Sequence, residues 1–199
     1  MSTSTVVAIV LIVALVLLLA AVVAAAARKR RTARLRDSFG PEYDRTVEDA
    51  GRRRDAEKEL LARREEHEQL QLRPLTPAAR DRFSTAWAGV QSRFVDTPAV
   101  ALTEADALVT ELLTERGYPV EDFDTKSRLL SVEHAGVMDS YRSAHAVEVA
   151  SRARTADTET VRNAFLDFRR VFEDVMSDGA DEPYPAEEST QGRQRSRKA

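Results

Sequence analysis

Residues 6–27 are apolar without exception, 22 positions in a row, and six basic residues follow at once: Arg28, Lys29, Arg30, Arg31, Arg34 and Arg36. At 1.5 Å rise per residue, about 20 apolar residues cross the roughly 30 Å hydrocarbon core of a bilayer as one helix. The run therefore predicts a single transmembrane helix. The basic cluster predicts its orientation, because the end rich in Lys and Arg stays in the cytoplasm. A cleaved signal peptide competes with this reading. It asks for a basic segment followed by a shorter apolar run of about 7–15 residues, whereas residues 1–5 carry no charged side chain. Ala24 to Ala27 could serve as a small-residue cleavage site, but the basic residues behind it oppose translocation. The expectation is an uncleaved anchor, N-terminus outside and C-terminus in the cytoplasm; cleavage and the reversed topology are the alternatives.

Beyond the collar the pattern changes to charge at helical spacing. Gly40-Pro41 interrupts the first helix, with Pro41 suited to the first turn of a new one. Glu48 with Arg52, Asp49 with Arg53, and Glu59 with Arg63 are acid-before-base pairs at i, i+4. The apolar stripe is thin: Tyr43, Val47 and Ala50, then nothing strong until Leu60 and Leu61. A sustained heptad is missing, so residues 41–74 read as a solvated, salt-bridged stalk rather than a coiled coil. One continuous helix there would reach ~45–50 Å.

A compact pattern begins after Arg73-Pro74. Thr76 and Pro77 give a cap-then-proline start, and Phe83, Trp87, Val90 and Phe94 make a core-facing stripe. Thr97-Pro98 repeats that start, with Ala101, Ala105, Leu108, Val109, Leu112 and Leu113 on one face. Gly117 suits the left-handed position that closes a helix, and Pro119 prevents its resumption. Asp122 or Asp124 caps a short helix to Leu130, and a break is expected between Ser131 and Gly136. A longer helix from about Ala135 to Arg154 follows. Asp157 or Thr158 caps the last, which carries Val161, Ala164, Phe165, Phe168, Phe172 and Val175 in register. No period-2 alternation marks a strand. The prediction is all-α: an anchor (1–27), a basic juxtamembrane segment (28–40), the stalk (41–74), a small cytoplasmic helical bundle (75–177) and a disordered tail (178–199).

Charge and composition narrow the chemistry. The formal charge is −3, but without the six collar residues 24 basic side chains face 33 acidic ones, leaving −9. An acidic body offers nucleic-acid phosphates no concentrated basic surface. The collar itself is expected to hold anionic lipid headgroups. With no cysteine, disulfides, thiolate catalysis and cysteine zinc sites are excluded. No phosphate loop, His-Glu-x-x-His or nucleophile elbow is present. The one face worth testing carries His134, Met138, Tyr141, His145 and Glu148 within about 40° at 100° per residue. His145 and Glu148 run opposite to the Glu-x-x-His order of di-metal bundles and have no second copy. They read as a local pair at the rim beside a core Tyr141. No catalytic, cofactor-binding or metal-binding residue is assigned.

The stretches Phe39-Gly-Pro-Glu-Tyr-Asp-Arg45, Arg93-Phe-Val-Asp-Thr-Pro98, Glu104-Ala-Asp-Ala-Leu-Val109 and Arg116-Gly-Tyr-Pro119 resemble a family of uncharacterised actinobacterial proteins. That resemblance covers about residues 39 to 177. It implies a membrane-anchored helical protein and carries no activity, cofactor or site residue. Arginine outnumbers lysine 26 to 4, a bias that fits a high-GC genome.

The sequence thus points to a non-enzymatic interaction module at the membrane surface, with an unidentified protein partner and self-association left open. Two other classes compete. A stator-like scaffold, similar to the peripheral stalks of rotary ATPases, is opposed by helix breaks at Pro74, Pro77, Pro98 and Pro119. An enzyme would need an unrecognised site near His145 and Glu148.

Overall fold

The computed structural model describes residues 3–153 and 155–177, with side chains from residue 11 onward. The tail expected to be disordered, residues 178–199, lies outside the described residues. The protein is all-α. Its helices are α1 (Thr3–Phe39), α2 (Pro41–Ala50), α3 (Arg53–Glu68), α4 (Pro77–Phe94), α5 (Pro98–Arg116), α6 (Phe123–Leu130), α7 (Met138–Arg152) and α8 (Thr158–Ser177). A 3₁₀ turn at Ala135–Val137 precedes α7. Among the described residues there is no strand.

The apolar run and the basic collar belong to one unbroken helix of 37 residues. It is the one helix among the described residues long and apolar enough to cross a membrane. From residue 11 to residue 27 its apolar side chains stay uncovered, Leu11 at 64% and Val23 at 66% exposed. Gly40, at φ 48°, ends it, and Pro41 opens α2 without the backbone donor that a first turn cannot use.

The chain divides into two compact units. The first takes the chain up to Gln69 together with Ser127–Met138; the second takes Leu70–Lys126 and the chain from Asp139. The bundle expected over 75–177 therefore cedes an internal segment to the first unit.

In the first unit the last turns of α1 are core: Leu35 and Phe39 pack with Tyr43 and Leu60, flanked by Val47, Leu61 and Val132. Residues 41–68 are helical and charged, as expected, but they form two helices. Gly51 adopts the left-handed conformation at φ 65° and Arg52 is extended, so α2 stops and α3 starts afresh. The break takes Arg52 and Arg53 out of helical register with Glu48 and Asp49; Asp49 sits 4.0 Å from Arg45 instead. The Glu59–Arg63 pair forms as expected. Instead of extending as a rod, the chain folds back so that α3 lies beside α1, where Thr32 donates a 2.6 Å hydrogen bond to Glu57. The thin stripe is thus completed by residues far away in sequence.

Arg63 supplies the polar centre of this unit. Its guanidinium lies 3.5 Å from Glu42 on α2, donates to Ser131 at 2.9 Å and pairs with Glu59. Both Arg63 and Glu42 are buried. Arg128 and Glu66 add a two-pronged ion pair, at 2.7 and 2.8 Å.

In the second unit most of the sequence signals act as expected. The exception is Thr97, which precedes Pro98 as expected but caps nothing, because its hydroxyl turns back to donate to the Arg93 carbonyl at 3.2 Å. Thr76 accepts from the Ala79 amide at 3.0 Å and Asp122 from that of Thr125 at 2.7 Å, each capping a helix. Asp157 accepts from Glu159 and Thr160. Tyr118 and Gly117 return their amides to Leu113 and Thr114, the paired bonds that close a helix C-terminus. Gly117 has φ 97°, and a Cβ there would lie 2.7 Å from the Gln71 carbonyl oxygen. α5 packs on both α4 and α8. Trp87 stacks between Phe165 and Phe172, at ring separations of 5.4 and 4.6 Å. All six apolar positions expected on the last helix are buried. Phe94, expected in the α4 stripe, is only half-buried but packs its ring 4.4 Å from Phe165.

Candidate functional site

The six collar residues divide between two faces of α1, and each face is completed by α3. On one, Arg30, Arg31 and Arg34 share a groove of about 650 Å³ with Arg64, over a floor of Val23, Ala26, Ala27, Leu35 and Leu61. On the other, Arg28, Lys29 and Arg36 lie with Arg53, Arg54 and Glu57 around a groove of about 560 Å³. Arg36 is partly committed: it donates to Asp44 at 2.8 Å and lies over the Tyr43 ring at 5.2 Å.

The packing of α3 beside α1 explains this arrangement. Residues 57, 61 and 64 follow one another at helical spacing: Glu57 accepts from Thr32, and Leu61 and Arg64 line the first groove, which reaches back to Val23. The first groove therefore straddles the point where the apolar run gives way to charge. Four guanidiniums, each with five fixed donors, border an apolar trough there. That chemistry suits an amphiphile with an anionic head. Arg64 was legible in the sequence only as part of a charged helix, since nothing local says that its helix packs beside α1.

The face of α7 sorts differently from its sequence reading. Tyr141 is fully buried, as expected, and burial raises its hydroxyl well above the ordinary value. His134 lies before the 3₁₀ turn, and the break at residues 131–134 removes the common face with His145. His145 and Glu148 do not form a rim pair. Glu148 is 0% exposed and accepts from Thr103 on α5 at 2.9 Å, with Arg152 on the same oxygen. His145 stacks on Phe123, 3.8 Å between centroids and 6° between planes, and its Nδ1 lies 3.7 Å from Asp106. Asp106 was not singled out from sequence because it sits on a different helix, 39 residues before His145.

These features define an all-α protein whose membrane-length apolar helix continues, without a hinge, into a helical unit bearing arginine-lined grooves. No family model, curated protein or solved structure matches the chain.

Proposed function

We propose that the protein is a single-pass membrane protein whose helical units act as a non-enzymatic interaction module on the cytoplasmic face. The observation that carries this reading is the continuity of α1. The helix that would span the bilayer also contributes Leu35 and Phe39 to the core of the first unit. Whatever binds that unit is held at the lipid surface, where tethering raises its effective concentration for neighbours. The basic collar supports an orientation with the N-terminus outside. It also supports contact with anionic headgroups, to which Arg64 of α3 would add. The residues that resemble an actinobacterial family fit such a membrane-anchored protein.

Reporter fusions at the C-terminus test the topology: a cytoplasmic reporter is expected to be active and an export-dependent one silent. Cross-linking in native membranes, followed by purification, tests the module. The expected result is a defined protein adduct that disappears when α1 is replaced by a soluble tag. The reverse reporter pattern would sink the topology, and an adduct indifferent to the anchor would sink the tethering role.

A further inference from the structure

Asp106, His145 and Glu148 each offer one ligand atom, and the three atoms lie within 4.8 Å of one another. Asp106 belongs to α5; His145 and Glu148 are three residues apart on α7. Asp106 Oδ1, His145 Nδ1 and Glu148 Oε2 are buried atoms that form no hydrogen bond. Glu148 as a whole is 0% exposed. A buried carboxylate with one idle oxygen is costly unless that oxygen meets a positive partner.

We propose that these three residues form a binding site for a divalent transition-metal ion of the Zn²⁺ type. The donor set decides the class of ion. One imidazole with two carboxylates suits zinc and its first-row neighbours, whereas calcium and magnesium prefer larger shells of oxygen. Without thiolates, soft ions have no special claim. Three protein ligands are the number found at open zinc sites, where water takes the fourth position.

The surroundings resemble a supporting shell. Glu148 uses Oε1 to accept from Thr103 and Arg152, which leaves Oε2 for the ion and fixes the carboxylate plane. The Phe123 ring fixes the imidazole plane of His145. On the same two helices Leu102, Ala105 and Val109 of α5 and Tyr141 and Ala144 of α7 are buried. Ligands around a tetrahedral Zn²⁺, at about 2.0–2.1 Å, sit ~3.3 Å apart. The 3.7 Å between Asp106 and His145 is close to that spacing, and with all three atoms within 4.8 Å of one another, side-chain rotations that draw them together would complete the site. His145 and Asp106, with side chains 26% and 13% exposed, leave a route for the ion to enter.

The test uses the full chain, purified in detergent with an affinity tag that contains no histidine, stripped with a chelator and titrated with Zn²⁺. One ion per chain is expected, with a rise in Tm on binding. Asp106→Asn and His145→Gln are each expected to weaken binding by about 100-fold or more, and Arg152→Gln by about 10-fold. Co²⁺ in place of Zn²⁺ should give a four-coordinate ligand-field spectrum that Asp106→Asn abolishes. Unchanged far-ultraviolet helicity confirms that each variant is folded; because Asp106 and His145 are partly exposed, the test does not depend on substituting the buried Glu148. A native chain that takes up no stoichiometric Zn²⁺ overturns the proposal. So does uptake that is undiminished in folded Asp106→Asn and His145→Gln, because the ion would then lie elsewhere.

Discussion

Arg63 on α3 donates a 2.9 Å hydrogen bond to Ser131, 68 residues further along the chain. That bond ties a late segment into a unit otherwise built from the first 69 residues. The same guanidinium neutralises the buried Glu42 carboxylate. Removing one partner of a buried pair strands charge, whereas replacing both with apolar groups removes the desolvation cost as well. Arg63→Ala is therefore expected to destabilise the first unit by about 3–5 kcal/mol. The double replacement Glu42→Leu with Arg63→Met should recover most of that loss. Denaturant unfolding in detergent, followed by circular dichroism, checks both; a single variant within experimental error of the native chain would refute the clamp.

Gly117 and Gly89 should respond to alanine in opposite directions. At Gly117 the backbone is left-handed and an added Cβ meets the Gln71 carbonyl at 2.7 Å, so Gly117→Ala must shift backbone. A loss above about 1 kcal/mol is expected. Gly89 lies inside α4, where an added Cβ comes no closer than 3.5 Å to the flexible Arg93 head. Gly89→Ala should gain about 0.5–1 kcal/mol. Thermal melts followed by the fluorescence of Trp87, the single tryptophan, read both in the unit where they act.

Acid should weaken the first unit through Glu66. Its carboxyl is lowered from the ordinary 4.5, chiefly by the hydrogen bond from Arg128. A carboxylate with a depressed folded value binds fewer protons folded than unfolded, so its stabilisation is complete above 4.5 and fades as pH falls through the folded value. Glu66 is about half exposed, so solvent screening keeps the effect small. Melting temperatures from neutral pH downward should show native and Glu66→Gln chains converging in acid. A constant gap across that range would exclude this linkage.

Much of the fold was legible because its signals are local. Proline after threonine, glycine after the last apolar turn and the stripe on α8 each act within a few residues. The first unit was harder to read because its core is assembled from α1, a helical hairpin and Val132, no one of which carries a sufficient stripe alone. Gly51 was visible as a glycine, but its left-handed conformation follows from the hairpin it closes. The collar residues were readable as a charge run; their division between two grooves required knowing that α3 packs beside α1. For Asp106, His145 and Glu148 the obstacle was similar. Spacing on one helix identified two of them, and the third reaches the site only through side chains of α5 that meet those of α7.

Arg64 offers a test of the amphiphile groove that spares the anchor. It lies on α3, outside the apolar run, so Arg64→Gln should leave insertion unchanged. A basic residue near an anionic surface contributes about 1 kcal/mol, which corresponds to roughly fivefold in lipid preference. The ratio of anionic to zwitterionic phospholipid retained by the purified chain should fall by about that factor. Mass spectrometry of the bound lipid measures it, and an unchanged ratio removes Arg64 from the groove's function.

Because α1 runs from Thr3 to Phe39 with no break, the first unit is mounted on a lever. The 12 residues from Arg28 to Phe39 extend about 18 Å past the apolar run, at 1.5 Å each. A span that tilts by about 20° to match a thinner bilayer would swing that far end sideways by ~6 Å. Bilayer thickness would thereby become a mechanical input that repositions the arginine grooves against the headgroups. Distances from a spin label near Phe39 to the lipid phosphate plane, compared between thin and thick bilayers, should change together with the tilt.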